Sequence, residues 1–320
     1  MKFSVIIPVY NRPEELRELA QSLTQQTFSD FEIVVIEDGS TNGSSGVIAH
    51  FSDLFQIQYL VQPNTGQGFA RNEGMKIAKG EFFVILDSDV ILPSDYLQKL
   101  SNAIESRRLD AFGGPDASDA DFSALQKAMD FAMTSFWTTG GIRGKMKDPS
   151  KYQARGFNMG ISRKVFEATG GFVDPNQGED IEWSIRIKKS GFRLELVQEA
   201  FVYHKRKNTL LSFAKQSFSF GRNRVNVSRF HPEAIMLVHW LPTAFLLFCL
   251  TLPLLFFVNK SLFLLSLSVF LLWSIGVVVS STIQNHSVKV GLLSWIASIA
   301  QLFSYGLGLP MELLRKSVKV

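Results

Sequence analysis

Along the first ninety residues, short apolar runs alternate with polar stretches that carry an apolar stripe. The runs are FSVIIPVY (3–10), FEIVVIED (31–38), IQYLVQ (57–62) and FFVILD (82–87). Near-continuous apolarity over so short a length predicts strands buried on both faces, as in a parallel sheet between helical layers. Between the first two runs, Leu16, Leu19, Ala20 and Leu23 recur at helical spacing. The stretch TGQGFARNEGMKIAKG (65–80) predicts a helix that opens after Gly66 and Gly68 and closes at Gly80. Such alternation predicts a doubly wound α/β fold, whose ligands sit beyond the carboxyl ends of the strands.

Further along, the pattern changes. Residues 238–258 carry no charge apart from a proton that His239 can take, and 261–283 carry none. A helix needs about 20 apolar residues to cross a bilayer, and only helix satisfies the backbone of such segments in lipid. Two spans are therefore predicted, with Pro242 and Pro253 kinking or breaking the first. A third uncharged stretch, 290–310, holds serines, Gln301 and several glycines. Its small residues suit helix packing, and it fits either a span or an interfacial helix. The boundary falls near residue 230, giving an α/β domain (1–230) and an α-helical membrane region (231–320).

Basic residues set the expected orientation. HKRKN (204–208) and GRNRVNVSR (221–229) precede the first span, whereas the loop after it holds only Lys260. The positive-inside rule then makes this a multi-pass protein of the cell (inner, cytoplasmic) membrane with its α/β domain in the cytoplasm. The tail LLRKSVKV is also basic and prefers the same face, which an odd number of full spans forbids. Either the third segment does not cross, or the rule is broken here.

Composition agrees with two unlike halves. The 320 residues are 46% hydrophobic yet 19% charged, with a mean hydropathy of +0.11. A net charge of +4, without a Lys/Arg-rich tract, argues for no nucleic-acid partner and is the balance an anionic membrane lipid surface favours. The single cysteine, Cys249, excludes an internal disulfide. The opening MKFSVIIPVYNRP has a short apolar run that Pro8 and 11–13 end without a small-residue cleavage site, so a first strand is expected there and not a signal peptide.

Polar residues cluster where the sheet would bind a ligand: Asn11-Arg12 after the first strand, Glu37-Asp38-Gly39-Ser40 after the second, and Asp87-Ser88-Asp89 after the fourth. Two close carboxylates repel, which is tolerable chiefly where a cation neutralises them. Hard oxygens suit Mg²⁺ or Mn²⁺, held by carboxylates together with substrate phosphates. The plainer alternative is that Asp87 caps a turn and Asp89 is a solvated loop charge, since turns favour aspartate.

The whole N-terminal domain resembles the family 2 glycosyltransferases of GT-A fold, which use nucleotide-diphospho-sugars. The resemblance covers residues 1–225 and rests on ordered motifs: VIIPVYNRPEELRELAQSL, IVVIEDGSTNGS, NTGQGFARNEGMKIAKGEFFVILDSDV, GFNMGISRKVFEATGGF, GEDIEWSIRIKKSGF and AFVYHKRKN. It implies that Pro8, Tyr10, Asn11, Arg12 and Asp38 hold the nucleoside, a carboxylate accepting the ring N–H of a uracil-like base. It implies that Asn64, Gly66, Arg71 and Asn72 line the donor cleft, that Asp87 and Ser88 face the donor, and that Gly113-Gly114 floor the sugar site. Asp87 and Asp89 resemble the metal-binding D-x-D, with His204 as a further ligand or diphosphate contact. The resemblance makes Asp180 the base and Glu179 an acceptor contact.

Each role has a structural alternative. Asp38 can be a turn residue, Asn64 and Asn72 a solvated helix face, His204 a structural histidine, and Trp183 a core residue or a sugar platform. Glu179 and Asp180 stand at an apparent helix start, which favours acidic residues through the macrodipole. One motif departs from the family. Processive members carry Q-x-x-R-W, whereas AKQSFSFGRNRVN offers Gln216 and Arg222 at the wrong spacing and no tryptophan, which disfavours a polymerase. No G-x-G-x-x-G follows the first strand, which argues against a dinucleotide oxidoreductase. No Gly- and basic-rich phosphate loop stands near the N-terminus, which argues against a nucleotidyltransferase. The expectation is a membrane-anchored, metal-dependent inverting glycosyltransferase moving one sugar, from a UDP-sugar by preference, to a lipid-linked or cell-envelope glycan acceptor. The alternative is a non-catalytic GT-A-like subunit that binds nucleotide-sugar or scaffolds a membrane complex.

Overall fold

The computed structural model describes residues 1–117, 122–140, 148–204 and 209–318. In chain order the elements are β1 (Phe3–Val9), α1 (Pro13–Leu23), β2 (Phe31–Asp38), α2 (Ser45–Phe51), β3 (Ile57–Gln62), α3 (Gln67–Ile77), β4 (Phe82–Leu86), β5 (Val90–Ile91), α4 (Tyr96–Arg107), β6 (Ala111–Gly113), β7 (Asp116–Ala117), α5 (Ala124–Thr134) and α6 (Phe136–Thr139). They continue with β8 (Asn158–Ser162), α7 (Arg163–Thr169), α8 (Glu179–Lys189), β9 (Leu194–Leu196), β10 (Val202–His204), α9 (Leu210–Val227), α10 (Leu241–Val258), α11 (Lys260–Asn285) and α12 (Val288–Val318). The chain forms two compact units. The first is Met1–Asp119 with Asp148–Lys205, and the second Ala120–Lys147 with Arg206–Val320.

In the first unit a seven-stranded sheet runs in the order β3-β2-β1-β4-β8-β6-β9, beside a small sheet of β5-β10-β7. Strands β3, β2, β1 and β4 pair in parallel, so the loops after β1, β2 and β4 meet at one edge. Strand period 2 explains the continuous apolar runs. Val5, Ile7, Ile33, Val35 and Val84 enter one buried cluster, whereas Ile6, Val34, Ile36, Phe83 and Ile85 enter another. Both faces are covered, so neither set is polar.

Helix α3 stops at Ile77, three residues short of the expected Gly80, because Ala78 turns extended (ψ 148°). The Gly80 N–H donates to Ser4 Oγ at 2.8 Å, where the chain turns into β4. Gly74 lets α3 approach the sheet; a Cβ there would lie 2.4 Å from Ile36 Cδ1. Strand β8 (NMGIS) carries no apolar run to betray it. It runs antiparallel to both β4 and β6, and Gly160 seats the Phe112 ring where a Cβ would be 2.3 Å away.

The second unit holds three helices long and apolar enough to cross a membrane: Leu237–Val258, Lys260–Asn285 and Val288–Arg315. Mean hydropathy is 2.3 and 2.6 for the first two but 1.4 for the third, of which 39% is buried within the protein against 6% for each of the others. Of the kink or break expected in the first span, the break does not occur, since α10 runs continuously from Leu241 to Val258. Pro242 lies in the first turn of α10, where a missing N–H removes no helical bond. Pro253 is inside a helix that continues to Val258.

Candidate active site

Every residue that the sequence nominated for chemistry lies in the first unit. Asn11, at φ +56°, staples two loops together. Its Oδ1 accepts the N–H groups of Thr41 and Asn42, both at 2.8 Å, and its own N–H donates to Ser40 Oγ at 2.7 Å. Tyr10 beside it is 53% exposed, and Pro8 stands opposite Ile36 of β2.

Asp38 is buried and gathers the loop that leads into α3. Its Oδ1 accepts from Gln62 Nε2 (2.8 Å), the Thr65 N–H (2.9 Å) and the Thr65 hydroxyl (3.1 Å), and its Oδ2 accepts the Gly66 N–H at 2.9 Å. Three of these donors meet Oδ1 and one meets Oδ2. Asn64, exposed, donates to the Asp38 carbonyl at 2.9 Å. Gly66 adopts φ +90°, and a Cβ there would lie 2.7 Å from Pro175 Cβ. Glu37 is turned inward: it accepts the Ser44 N–H at 2.7 Å and the Tyr59 hydroxyl at 3.1 Å. Burial, with Glu37 beside it, pushes the Tyr59 phenol up to about 12.

The loop after β4 forms an acidic corner. Ser88 is buried, Asp87 and Asp89 are partly exposed (29% and 15%), and His204 from β10 joins them. One ligand atom from each of Asp87, Asp89 and His204 lies within 4.8 Å of the others. Asp89 Oδ2 takes Arg12 Nη1 at 2.6 Å, and Oδ1 lies 3.2 Å from His204 Nε2. Burial would raise the Asp89 pKa, but His204 and Arg12 override it and hold the carboxyl well below the usual range. Burial likewise works to lower His204, and the Asp89 carboxylate outweighs it to give a raised pKa. The imidazole stacks on Phe157 at 4.8 Å and 25°. Two carboxylate oxygens and one imidazole nitrogen within that radius suit a divalent cation.

A second acidic corner opens helix α8. Glu179 is 4% exposed and accepts Gln67 Nε2 at 2.7 Å and Arg71 Nη1 at 3.1 Å. Burial and the neighbouring Asp180 push its carboxyl up to about 7, against the pull of Arg71. Asp180 is half-buried and accepts the Gly156 N–H at 3.2 Å. Arg71 ties the two corners: its other terminal nitrogen lies 2.6 Å from Asp87 Oδ1. The guanidinium is buried over the Phe172 ring at 5.4 Å, and a Cβ on Gly156 would come within 2.7 Å of it.

Other nominated residues are packed into the protein. Gly114 is enclosed between Asn158 and Ala200, whose carbonyl would stand 2.0 Å from a Cβ. Trp183, one of two alternatives, is a core residue: fully buried, edge-on to Phe172 at 4.5 Å, with its indole donating to Thr169 Oγ1 at 2.8 Å. Asn72 pairs with both backbone groups of Phe172. Gln67, Gly156, Phe157 and Asn158 hold the site but were not singled out from the sequence. Asn158 accepts the Tyr96 hydroxyl at 2.7 Å and donates to the Ala200 carbonyl at 2.9 Å. All four lie inside the quoted motifs, the only signal that could have found them.

Known proteins share this arrangement of chain. The AglE glycosyltransferase of Haloferax volcanii is 25% identical over 231 residues, 70% of this chain and 73% of AglE. The GlyA glycosyltransferase of Streptococcus pneumoniae is 37% identical over 110 residues, 34% of this chain and 16% of GlyA, and GlyG of the same organism is 31% identical over 41% of this chain and 45% of its own. The chain thus spans less than half the length of those two streptococcal relatives. Among solved structures, the mannosyltransferase PcManGT of Pyrobaculum calidifontis, in complex with GDP-Man and Mn²⁺, aligns with a TM-score of 0.66 at 16% identity, over 97% of this chain and 87% of PcManGT. The first 349 residues of Staphylococcus aureus TarS align with a TM-score of 0.53 at 18% identity, over 99% and 92%. These two likenesses show the fold, a mixed α/β core of GT-A type; in this chain three apolar helices follow it. The model of the family described as Glycosyl transferase family 2 matches residues 4–170, more than half of the chain, and the chain belongs to that family.

Proposed function

We propose that this glycosyltransferase moves one sugar, with inversion, from a nucleotide-diphospho-sugar to an acceptor hydroxyl presented at a membrane. The observation that carries the reading is Arg71, which joins Asp87 of the D-x-D corner to Glu179 at the start of α8. One buried side chain thereby fixes the distance between a candidate metal site and a candidate base. Asp87, Asp89 and His204 are the residues that would hold Mn²⁺ or Mg²⁺. Such an ion supplies a Lewis acid for the charge that develops on the leaving diphosphate.

Asp180, the more exposed of the two acids in α8, removes the proton from the acceptor hydroxyl. The acceptor oxygen forms its bond to C1 of the sugar as the bond from C1 to the diphosphate oxygen breaks, and the electron pair leaves with the diphosphate. Glu179, enclosed by Arg71 and Gln67, positions α8 instead of touching the acceptor. Arg12 reaches Asp89 from the open side and is placed to meet a phosphate oxygen. Asp38 orders the 64–66 loop and is placed to accept a base N–H, which uracil, thymine and guanine all offer; the lean toward a uridine donor rests on the family resemblance alone. PcManGT was solved with GDP-Man and Mn²⁺, and TarS, at a TM-score of 0.50, with UDP-GlcNAc. Both support a nucleotide-sugar donor for this chain. Helices α10 and α11 anchor the enzyme and bring it to a lipid-linked or envelope-glycan acceptor.

Calorimetry on the detergent-solubilised protein tests this with UDP, GDP and dTDP, each with and without Mn²⁺. One nucleotide should bind only with metal, lose affinity in Asp89→Ala and keep it in Asp180→Asn. Binding of none of them would favour a scaffold role over catalysis.

A further inference from the structure

The three apolar helices of the second unit do not behave as three equivalent spans. Near the start of α10, Phe245 meets Trp273 of α11 at 4.7 Å. The indole of Trp295 in α12 donates to the adjacent Ser274 at 3.0 Å, so Trp295 stands at the level of the first turns of α10. Eleven residues later α12 is still there: the Thr243 hydroxyl donates to the Gly306 carbonyl at 2.9 Å. A helix running alongside α10 would climb roughly 16 Å in eleven residues at 1.5 Å each. Helix α12 therefore crosses the start of α10 obliquely.

Its far end confirms the direction. The Glu312 carboxylate accepts from Arg222 at 2.8 Å and Arg229 at 3.0 Å, both of which precede α10 in the chain. If α10 leaves a membrane face and α11 returns to it, a crossing α12 would carry Glu312 to the opposite face, away from those two arginines. The pairs exist, so both ends of α12 belong to one face. Arg315 also donates to Glu312, at 2.7 Å. Three guanidinium groups thus gather around one carboxylate, on side chains 35%, 38% and 45% exposed. Guanidinium forks match phosphate oxygens, and such basic clusters are drawn to anionic headgroups.

We infer that α12 is an interfacial helix and not a third span, and that with α9 it seats the protein on the phosphate layer of an anionic bilayer through Arg222, Arg229 and Arg315. The chain then crosses twice, and the basic tail lies on the face of α9 as the positive-inside rule asks. This rests on the reading that α10 and α11 cross a bilayer.

The test uses the full chain with Cys249→Ser, reconstituted in sealed vesicles of phosphatidylcholine and phosphatidylglycerol. Ser219→Cys, Ser261→Cys and Ser317→Cys, introduced singly, are labelled with a membrane-impermeant maleimide before and after detergent. Positions 219 and 317 should label together and 261 from the other side. If 317 labels with 261, α12 crosses and the inference falls. If 219 and 261 label together, the two-span anchor fails instead. Nitroxides at Leu292→Cys and Leu307→Cys give a second reading. Equal, shallow depths support the interfacial helix, and depths differing by about 22 Å, the rise over fifteen residues, overturn it.

Discussion

Arg71 and Glu179, 108 positions apart in the chain, form a buried ion pair at 3.1 Å with side chains 1% and 5% exposed. Above about pH 7, where Glu179 is ionised, removing Arg71 leaves that charge buried and uncompensated, a loss of about 3–5 kcal/mol. Arg71→Met should therefore lower the midpoint of chemical unfolding sharply. In the Arg71→Met background, Glu179→Gln should restore part of the loss, and a double-mutant cycle on unfolding free energies measures the coupling. A near-zero coupling would mean that Asp87 alone accounts for the arginine.

Glu179 also sets a pH dependence. Its carboxyl is raised to about 7 from 4.5 by burial and by Asp180. The folded state therefore binds the proton more tightly than the unfolded state. Stability is greatest below pH 4.5 as far as this group is concerned, and falls as pH rises through about 7. The full effect is up to about 3 kcal/mol at 1.36 kcal/mol per unit. Denaturation curves between pH 4.5 and 8 should show this slope in the wild type and not in Glu179→Gln.

His204 predicts a second pH effect. Asp89 raises its pKa above the ordinary value despite burial, and a metal at Nε2 must displace that proton. Affinity for Mn²⁺ should rise with pH through the histidine's titration. His204→Gln should flatten the profile while leaving binding to the two aspartates measurable by calorimetry.

Asp180→Asn separates chemistry from binding. General-base catalysis contributes about 10²–10⁴-fold, so kcat should fall by that factor with nucleotide affinity unchanged. A loss confined to KM would assign Asp180 to acceptor binding instead.

Trp183→Ala tests a reading that the sequence left open. The indole is fully buried against Phe172, and deleting such a side chain costs about 3–5 kcal/mol. Urea unfolding should register that loss, with no selective change in donor-sugar preference.

The four parallel strands were legible in the hydrophobic pattern, because a strand buried on both faces is apolar at nearly every position: Phe82–Leu86 is apolar throughout and Phe3–Val9 everywhere but Ser4, whose hydroxyl is hydrogen-bonded to Glu32. The sequence by itself determined the two long apolar helices by the same one-dimensional rule, and the residues that gather at the strand ends. Distances between residues far apart in the chain follow only from the folded packing. It brought Arg71 to both Asp87 and Glu179, set Arg12 against Asp89, and enclosed Gly114 and Trp183. Strand β8 escaped notice because antiparallel pairing with β4 and β6 holds NMGIS in place through backbone bonds and a glycine contact, neither of which leaves an apolar pattern. The same holds for α12, which composition allows to cross a membrane. The partners of Glu312, far away in the chain, fix which face its end must share.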